Sequence, residues 1–144
     1  MELTVPPGQL TDTREQISEF YSDMFGWESS DISILGQNGL LLRTDEATSQ
    51  FILVTEQRVH LQSPGYDHLG LLCDARSEVE DYLAKAKRRR ADDDRIEIKE
   101  YDDLVNGSHV TVAFYVRHLL PIWFDVQCFE RDGVPQADRW TFSG

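Results

Sequence analysis

The chain has 144 residues, 40% of them hydrophobic and 28% charged, and a formal net charge of −12. This length suits one domain, and the acidity argues against nucleic acid and anionic membranes as partners, because phosphate binding needs a basic surface. No apolar run in the sequence approaches the ~20 residues of a membrane-spanning helix. The first residues show neither the basic patch nor the apolar core of a secretory signal, so we expect a cytoplasmic protein.

The first predicted helix covers residues 13–25 and overlaps the aromatic-rich stretch EFYSDMFGW at residues 19–27. Its apolar side chains recur with helical spacing: Ile17, Phe20, Tyr21, Met24 and Phe25. Asp12 and Glu15 have the spacing of a capping box, and Gly26 is placed to end the helix. The stripe predicts a packing face, not a ligand-binding box.

A second predicted helix, residues 75–88, has the same design, and strands follow each helix. The apolar stripe of this helix is Val79, Tyr82, Leu83 and Ala86. The predicted strands are 31–36, 39–44 and 50–56 in the first half, and 94–101, 109–116 and 121–129 in the second. Turn residues lie at 37–39 and 106–108. Each half therefore has the pattern β-α-β-β-β.

The two halves match each other when the first is shifted by 62 residues. The matched pairs are Gly8 with Gly70, Leu10 with Leu72, Asp12 with Asp74, Ile17 with Val79, Phe20 with Tyr82, and Tyr21 with Leu83. This agreement predicts a duplicated unit within a single domain, residues 1–144. Module one covers about 1–57, a linker about 58–66, and module two about 67–144.

Three stretches of the sequence carry a resemblance to a known superfamily. They are FYSDMFGW at 20–27, DHLGLLCD at 67–74, and YVRHLLPIWFDVQCFE at 115–130. Their order and spacing resemble the vicinal oxygen chelate superfamily of glyoxalase I, extradiol dioxygenases, and fosfomycin- and bleomycin-resistance proteins. The resemblance implies an α+β fold of two tandem βαβββ modules. Their curved mixed sheets would form half-barrels around a cavity, with the helices on the outer faces.

The resemblance also implies where a metal would bind. In the metalloenzymes of this superfamily, four side chains from the first and last strands of each module hold one divalent cation. His68 and Asp125 fall on these positions in module two. In module one the 62-residue shift pairs Pro6 with His68, and Glu2 would serve only if the strand slipped by four residues. We therefore expect an incomplete metal site and no resident metal, with a divalent cation as the alternative.

Strand alternation predicts which residues would line the cavity. His68, Trp123, Asp125 and Gln127 share the inward face of module two, and Phe51 points inward in module one. These five residues are our predicted ligand-binding set, and His68 with Asp125 could form an acid/base dyad. Cys73 and Cys128 fall on the opposite face and are expected to be reduced core residues.

Three functions are compatible with these observations. We favour a small-molecule-binding protein of the glyoxalase/bleomycin-resistance type that works as a homodimer. The first alternative is a metal-dependent lyase, isomerase or dioxygenase of the glyoxalase type. The second is a structural or partner-binding protein without a small ligand.

Overall fold

The computed structural model describes residues 1–48 and 50–136. These residues form two units, each with one helix and one mixed sheet. Unit 1 comprises Met1–Tyr66 together with the short segment His118–Ile122. Unit 2 comprises Asp67–Arg117 and the chain from Trp123 onward. The chain therefore enters unit 1 twice.

Unit 1 has the strand order β1-β4-β3-β2, in which β1 and β4 are parallel and the other neighbours antiparallel. Its elements are β1 (Glu2–Val5), α1 (Gln9–Phe25), β2 (Glu28–Ile34), β3 (Gln37–Arg43) and β4 (Phe51–Glu56).

The core of unit 1 lies between α1 and the sheet. The apolar stripe of α1 is buried, as predicted, at Ile17, Phe20, Tyr21 and Met24. Alternate strand residues meet it from the sheet: Leu3, Val5, Leu40, Leu42, Ile52 and Val54. The Tyr21 hydroxyl donates a hydrogen bond to the carbonyl oxygen of His118 at 3.1 Å. Gly26 ends the helix in the left-handed conformation, with a φ of 72°, which glycine adopts without strain.

Unit 2 has a six-stranded sheet that contains the corresponding path β5-β9-β8-β6. Its elements are β5 (His68–Leu72), α2 (Arg76–Asp92), β6 (Glu97–Glu100), β7 (Leu104–Asn106), β8 (His109–Arg117), β9 (Trp123–Arg131) and β10 (Val134–Pro135). β5 and β9 are parallel, as are β1 and β4 in unit 1. α2 packs against β8 and β9, and the buried apolar residues there are Val79, Ala86, Val112, Phe114, Val116, Phe124, Val126 and Cys128.

The predicted fold class, two tandem βαβββ modules, is confirmed. The short strands β7 and β10 were not predicted. The predicted turn at 37–39 is wrong, because the hairpin turns at Leu35 and Gly36, which both have positive φ, and β3 starts at Gln37. Neither helix among the described residues has the length and apolarity that crossing a bilayer requires.

The start of α1 also differs from the prediction. The helix begins at Gln9, with Gly8 as its N-cap, and Asp12 lies inside the first turn instead of capping it. The reason is a tertiary contact: the Glu56 carboxylate accepts a hydrogen bond from the backbone N–H of Leu10 at 2.7 Å. That N–H belongs to the first turn, where helices have no backbone partner of their own.

The early start of α1 changes how the two units align. α1 begins eight residues before Ile17, whereas α2 begins three residues before Val79. The 62-residue shift therefore holds for the helix stripes but not for the strands before them. Gly8 and Leu10, which it pairs with residues of β5, belong to the N-cap and first turn of α1.

Candidate functional site

The sheet of unit 2 has one face that packs on α2 and one that does not. Phe124, Val126 and Cys128 are buried on the helix side, so Trp123, Asp125 and Gln127 project from the opposite face. We call this opposite surface the Asp125 face.

Strand register brings specific neighbours beside Asp125. On one side the residue opposite it is Gly70 of β5, and on the other side it is Tyr115 of β8. His68 is paired with Trp123 one step earlier along the same two strands. Gly70 carries no side chain, and a Cβ built there would lie 3.1 Å from Nε2 of Gln127. The Gln127 amide therefore lies close to the β5 side of Asp125, and a side chain at residue 70 would crowd it.

The Asp125 carboxylate is buried, with a relative exposure of 5%. Its Oδ2 lies 3.7 Å from Nε2 of His68, and its Oδ1 accepts no hydrogen bond from the described residues. Burial raises the pKa of Asp125, and the nearby His68 lowers it by a smaller amount. Burial of a carboxylate oxygen without a hydrogen-bond donor destabilises the folded protein. Protonation of that oxygen, or a hydrogen bond donated to it, would therefore stabilise the site.

Aromatic rings form a cluster on the same face as this carboxylate. The Tyr115 ring centroid is 4.8 Å from that of His68, 5.0 Å from that of Tyr101 and 6.5 Å from that of Trp123. Burial, and then the negative charge of Asp125, raise the pKa of the Tyr115 hydroxyl. The hydroxyl therefore stays protonated and neutral at physiological pH.

An ion pair closes one end of the Asp125 face. The Arg117 guanidinium donates to both carboxylate oxygens of Glu97 at 2.8 Å, and its centre lies 4.5 Å from the Trp123 ring centroid. Because Glu97 holds Arg117 in a bidentate pair, the guanidinium is held in position over the Trp123 ring.

Four of the five predicted ligand-binding residues lie on this one face: His68, Trp123, Asp125 and Gln127. Phe51 lies in unit 1, 43% exposed, and its contribution to the same ligand site stays a prediction.

Three groups on the Asp125 face were not predicted from the sequence: Tyr115, Tyr101 and the Arg117–Glu97 pair. Alternation along HVTVAFYVR already separates Tyr115 from its buried neighbours. Recognising it as an Asp125 neighbour required the register of β8 on β9, which alternation alone does not supply.

Unit 1 contains a corresponding polar pair. Glu2, the first residue of β1, accepts a hydrogen bond from Thr55 Oγ1 at 3.0 Å. The strand register pairs Glu2 with Leu53, so Thr55 lies two residues beyond that partner. Both side chains project from the sheet face opposite α1.

His68 stands in the same relation to Asp125. It is the first residue of β5, its register partner is Trp123, and Asp125 lies two residues beyond that partner. The predicted counterpart of His68, Pro6, is wrong because β1 ends before it; the counterpart is Glu2.

A divalent cation is the cofactor that the superfamily resemblance implies. Unit 2 offers it one imidazole and one carboxylate, and unit 1 offers one carboxylate and one hydroxyl. Over residues 1–48 and 50–136, neither unit gathers three or more His, Cys, Asp or Glu side chains for a metal. Catalytic zinc sites use three protein ligands, so the donor set of either unit alone does not fit a resident metal.

Unit 1 also has an open cleft of about 380 Å³. Its lining residues are Arg14, Asp31, Ile32, Ser33, Asn38 and Gly39. Arg14 pairs with Asp31 and also donates to the Gly39 carbonyl oxygen at 3.2 Å. The charged groups of the cleft therefore pair with one another, and none of these described lining residues is aromatic. The cleft is a weaker candidate than the Asp125 face.

No protein-family model matches the chain, and no curated protein matches it. Solved structures do match. The fosfomycin resistance protein FosX of Listeria monocytogenes is 16% identical with a TM-score of 0.62, over 87% of this chain and 87% of that one. A lactoylglutathione lyase of Agrobacterium tumefaciens is 15% identical with a TM-score of 0.53, over 88% of this chain and 89% of that one.

A variant of Listeria monocytogenes FosX, in complex with Mn(II) and a dihydroxypropylphosphonic acid, is 18% identical with a TM-score of 0.54. That match covers 87% of this chain and 85% of that one. The chain therefore has the vicinal oxygen chelate fold that its sequence motifs suggested. At these identities the likeness shows the fold alone.

Proposed function

We propose that the protein binds a small organic molecule on the Asp125 face, as a member of the glyoxalase/bleomycin-resistance type without a complete metal site. The observation that carries this is Asp125 itself: a buried carboxylate with an unused acceptor oxygen among aromatic rings. Pockets that bind small ligands combine apolar or aromatic walls with a few convergent polar groups, and this face has that composition.

Within this proposal each residue has a role. Asp125 accepts a hydrogen bond from the ligand, Trp123 and Tyr115 contact its apolar part, and Gln127 supplies a neutral donor and acceptor. His68, whose side chain is 40% exposed, exchanges protons with solvent and acts with Asp125 as an acid/base dyad if the ligand is also a substrate. We further propose a homodimer, as the resemblance implies, with Phe51 contributing to the ligand site.

A ligand screen on the purified protein tests this proposal. We expect hits that raise the melting temperature and shift the backbone NMR signals of residues 68–72 and 123–127. Affinity for these hits should fall by about tenfold in His68→Ala, since a contact within the site is lost. His109→Ala, which removes an exposed histidine at the far end of β8, is the matched control. Hits that map elsewhere, or that bind His68→Ala unchanged, contradict the proposal.

A metal-dependent enzyme is the second candidate, and one observation favours it. Glu2 takes the strand position in unit 1 that His68 takes in unit 2, so a carboxylate stands where the sequence had indicated a proline. Metal analysis of protein purified without chelator separates the two candidates. Stoichiometric Mn, Fe, Ni or Zn that is lost in both His68→Ala and Glu2→Ala would replace our proposal with this one.

A further inference from the structure

We propose that the ligand of the Asp125 face is an organic cation: a primary or secondary ammonium carried on an aromatic or apolar body. This inference rests on the proposed function and adds the chemical class of the ligand.

The Asp125 carboxylate has an acceptor oxygen that lacks a hydrogen-bond donor among the described residues. Asp125 is 5% exposed, and no described residue donates to its Oδ1. The His68 Nε2 lies 3.7 Å from the other oxygen, Oδ2, which is longer than a hydrogen bond. An ammonium N–H placed on Oδ1 would satisfy the buried acceptor and compensate its charge in one contact.

The other cations of this face have contacts elsewhere. Arg117 is held by Glu97 in a bidentate pair. Lys99 Nζ lies 5.1 Å from the centroid of the Tyr101 ring. The charge that lowers the pKa of Asp125 is that of His68, and its effect is smaller than the effect of burial. An ammonium ligand would add a permanent positive charge beside Asp125.

Aromatic rings lie on the same face as Asp125. The faces of aromatic rings are negative, and a cation within about 6 Å of a ring centroid is attracted to them. Tyr115 lies opposite Asp125 in the strand register, and Trp123 and His68 flank it. The carboxylate and the rings therefore favour the same ligand charge.

Gly70 leaves the β5 side of Asp125 without a side chain from residue 70. Asp125 is flanked on β5 by Gly70, and a Cβ at that position would already approach Gln127 Nε2 to 3.1 Å. A side chain at residue 70 would thus crowd Gln127 and fill the β5 side of the carboxylate, where the proposed ligand would have to displace the Gln127 amide.

Three probes that share one ring but differ in charge test the inference: phenethylammonium, phenethyl alcohol and phenylacetate. Their binding is followed by NMR on the amide signals of Gly70 and Asp125. We expect phenethylammonium to bind the native protein about tenfold or more tighter than either other probe. Asp125→Asn should abolish that preference, while Asp94→Asn, the same change at an exposed position, should retain it.

Gly70→Val provides a variant in which the carboxylate is intact. A β-branched residue suits a strand, so we expect this variant to fold and to lose the ammonium probe by steric exclusion. Thermal unfolding of each variant reports whether it is folded. Retained tight binding in Gly70→Val would overturn the placement of the ligand over Asp125.

The remaining outcomes separate this inference from the proposed function. If phenylacetate or the alcohol binds at Gly70 and Asp125 as tightly as the ammonium, the cation assignment is overturned and small-molecule binding stands. Tight phenylacetate binding would assign the face to an anion held by Lys99 and Arg117. If none of the three probes shifts these signals at millimolar concentration, both proposals are overturned.

Discussion

Asp125 is a carboxylate in an environment that disfavours its ionised form. Transfer of a carboxylate from water into a mostly apolar strand disfavours its ionised form, and His68 offsets only part of that penalty. The folded state therefore binds a proton at Asp125 more tightly than the unfolded state does. By linkage, the contribution of Asp125 to stability falls as the pH rises from its ordinary pKa of 3.8 through its higher folded pKa.

Asp125→Asn should remove this pH dependence. We expect the free energy of unfolding of the native protein, relative to that of the variant, to decrease as the pH rises from acidic to neutral. The change should be about 1.4 kcal/mol for each pKa unit of difference between the folded and unfolded states. Urea unfolding across this pH range measures it.

Asp94→Asn is the control for this measurement, because Asp94 is exposed and its loss should leave the slope unchanged. If the stability curves of the native protein and of Asp125→Asn run parallel with pH, the assigned environment of Asp125 is wrong.

Secondary elements show how tertiary contacts override local signals. The helix stripe of α1 was predictable because its apolar spacing is strictly periodic, and the glycine that ends the helix carries its own conformational preference. The N-terminal end of α1 was not predictable, because the side chain that caps it is Glu56, which is 46 residues from Leu10 in sequence. The candidate site was predictable to the same extent. Alternation predicted which residues of β5 and β9 share a face, but their neighbours on β8 depend on the register between strands, which is not a local property of the sequence.

Glu56→Ala should shorten α1 from its N-terminal end. The substitution leaves the Leu10 N–H without its acceptor and removes a negative charge from a helix N-terminus, so we expect a loss of about 1 kcal/mol in unfolding free energy. Hydrogen exchange of residues 9–13 should accelerate while that of residues 17–24 changes little.

Glu46→Ala, which removes an exposed carboxylate, serves as the comparison and should leave both quantities unchanged. Equal exchange rates for residues 9–13 in the native protein and Glu56→Ala would show that Glu56 does not cap the helix.

At the scale of the whole molecule, the path of the chain links the two units. The segment His118–Ile122 belongs to unit 1, although the strands before and after it, β8 and β9, belong to unit 2. Its side chains are part of a buried interior, and Leu120 is 3% exposed. The segment connects directly to β8 and β9, the two longest described strands of unit 2. Loss of this packing would therefore also loosen the ends of those two strands.

Leu120→Ala should therefore weaken both units together. We expect a loss of about 2–5 kcal/mol, as for other buried leucines. Hydrogen exchange should accelerate to the same extent in α1 of unit 1 and in β8 of unit 2, because one cooperative transition exposes both.

Leu104→Ala makes the same chemical change at a residue that is 68% exposed, and it should have little effect. Faster exchange confined to unit 1 in Leu120→Ala would show that the units unfold independently.

The offset between the two modules has a consequence for tracing the ancestry of this chain. Glu2 corresponds to His68 at a separation of 66 residues, while Ile17 corresponds to Val79 at 62. An alignment of the two copies thus requires a four-residue gap between the first strand and the helix stripe, where α1 extends further toward its N-terminus than α2 does. An ungapped comparison of the two copies at the 62-residue shift pairs His68 with Pro6 and hides the acidic residue that shares its strand position.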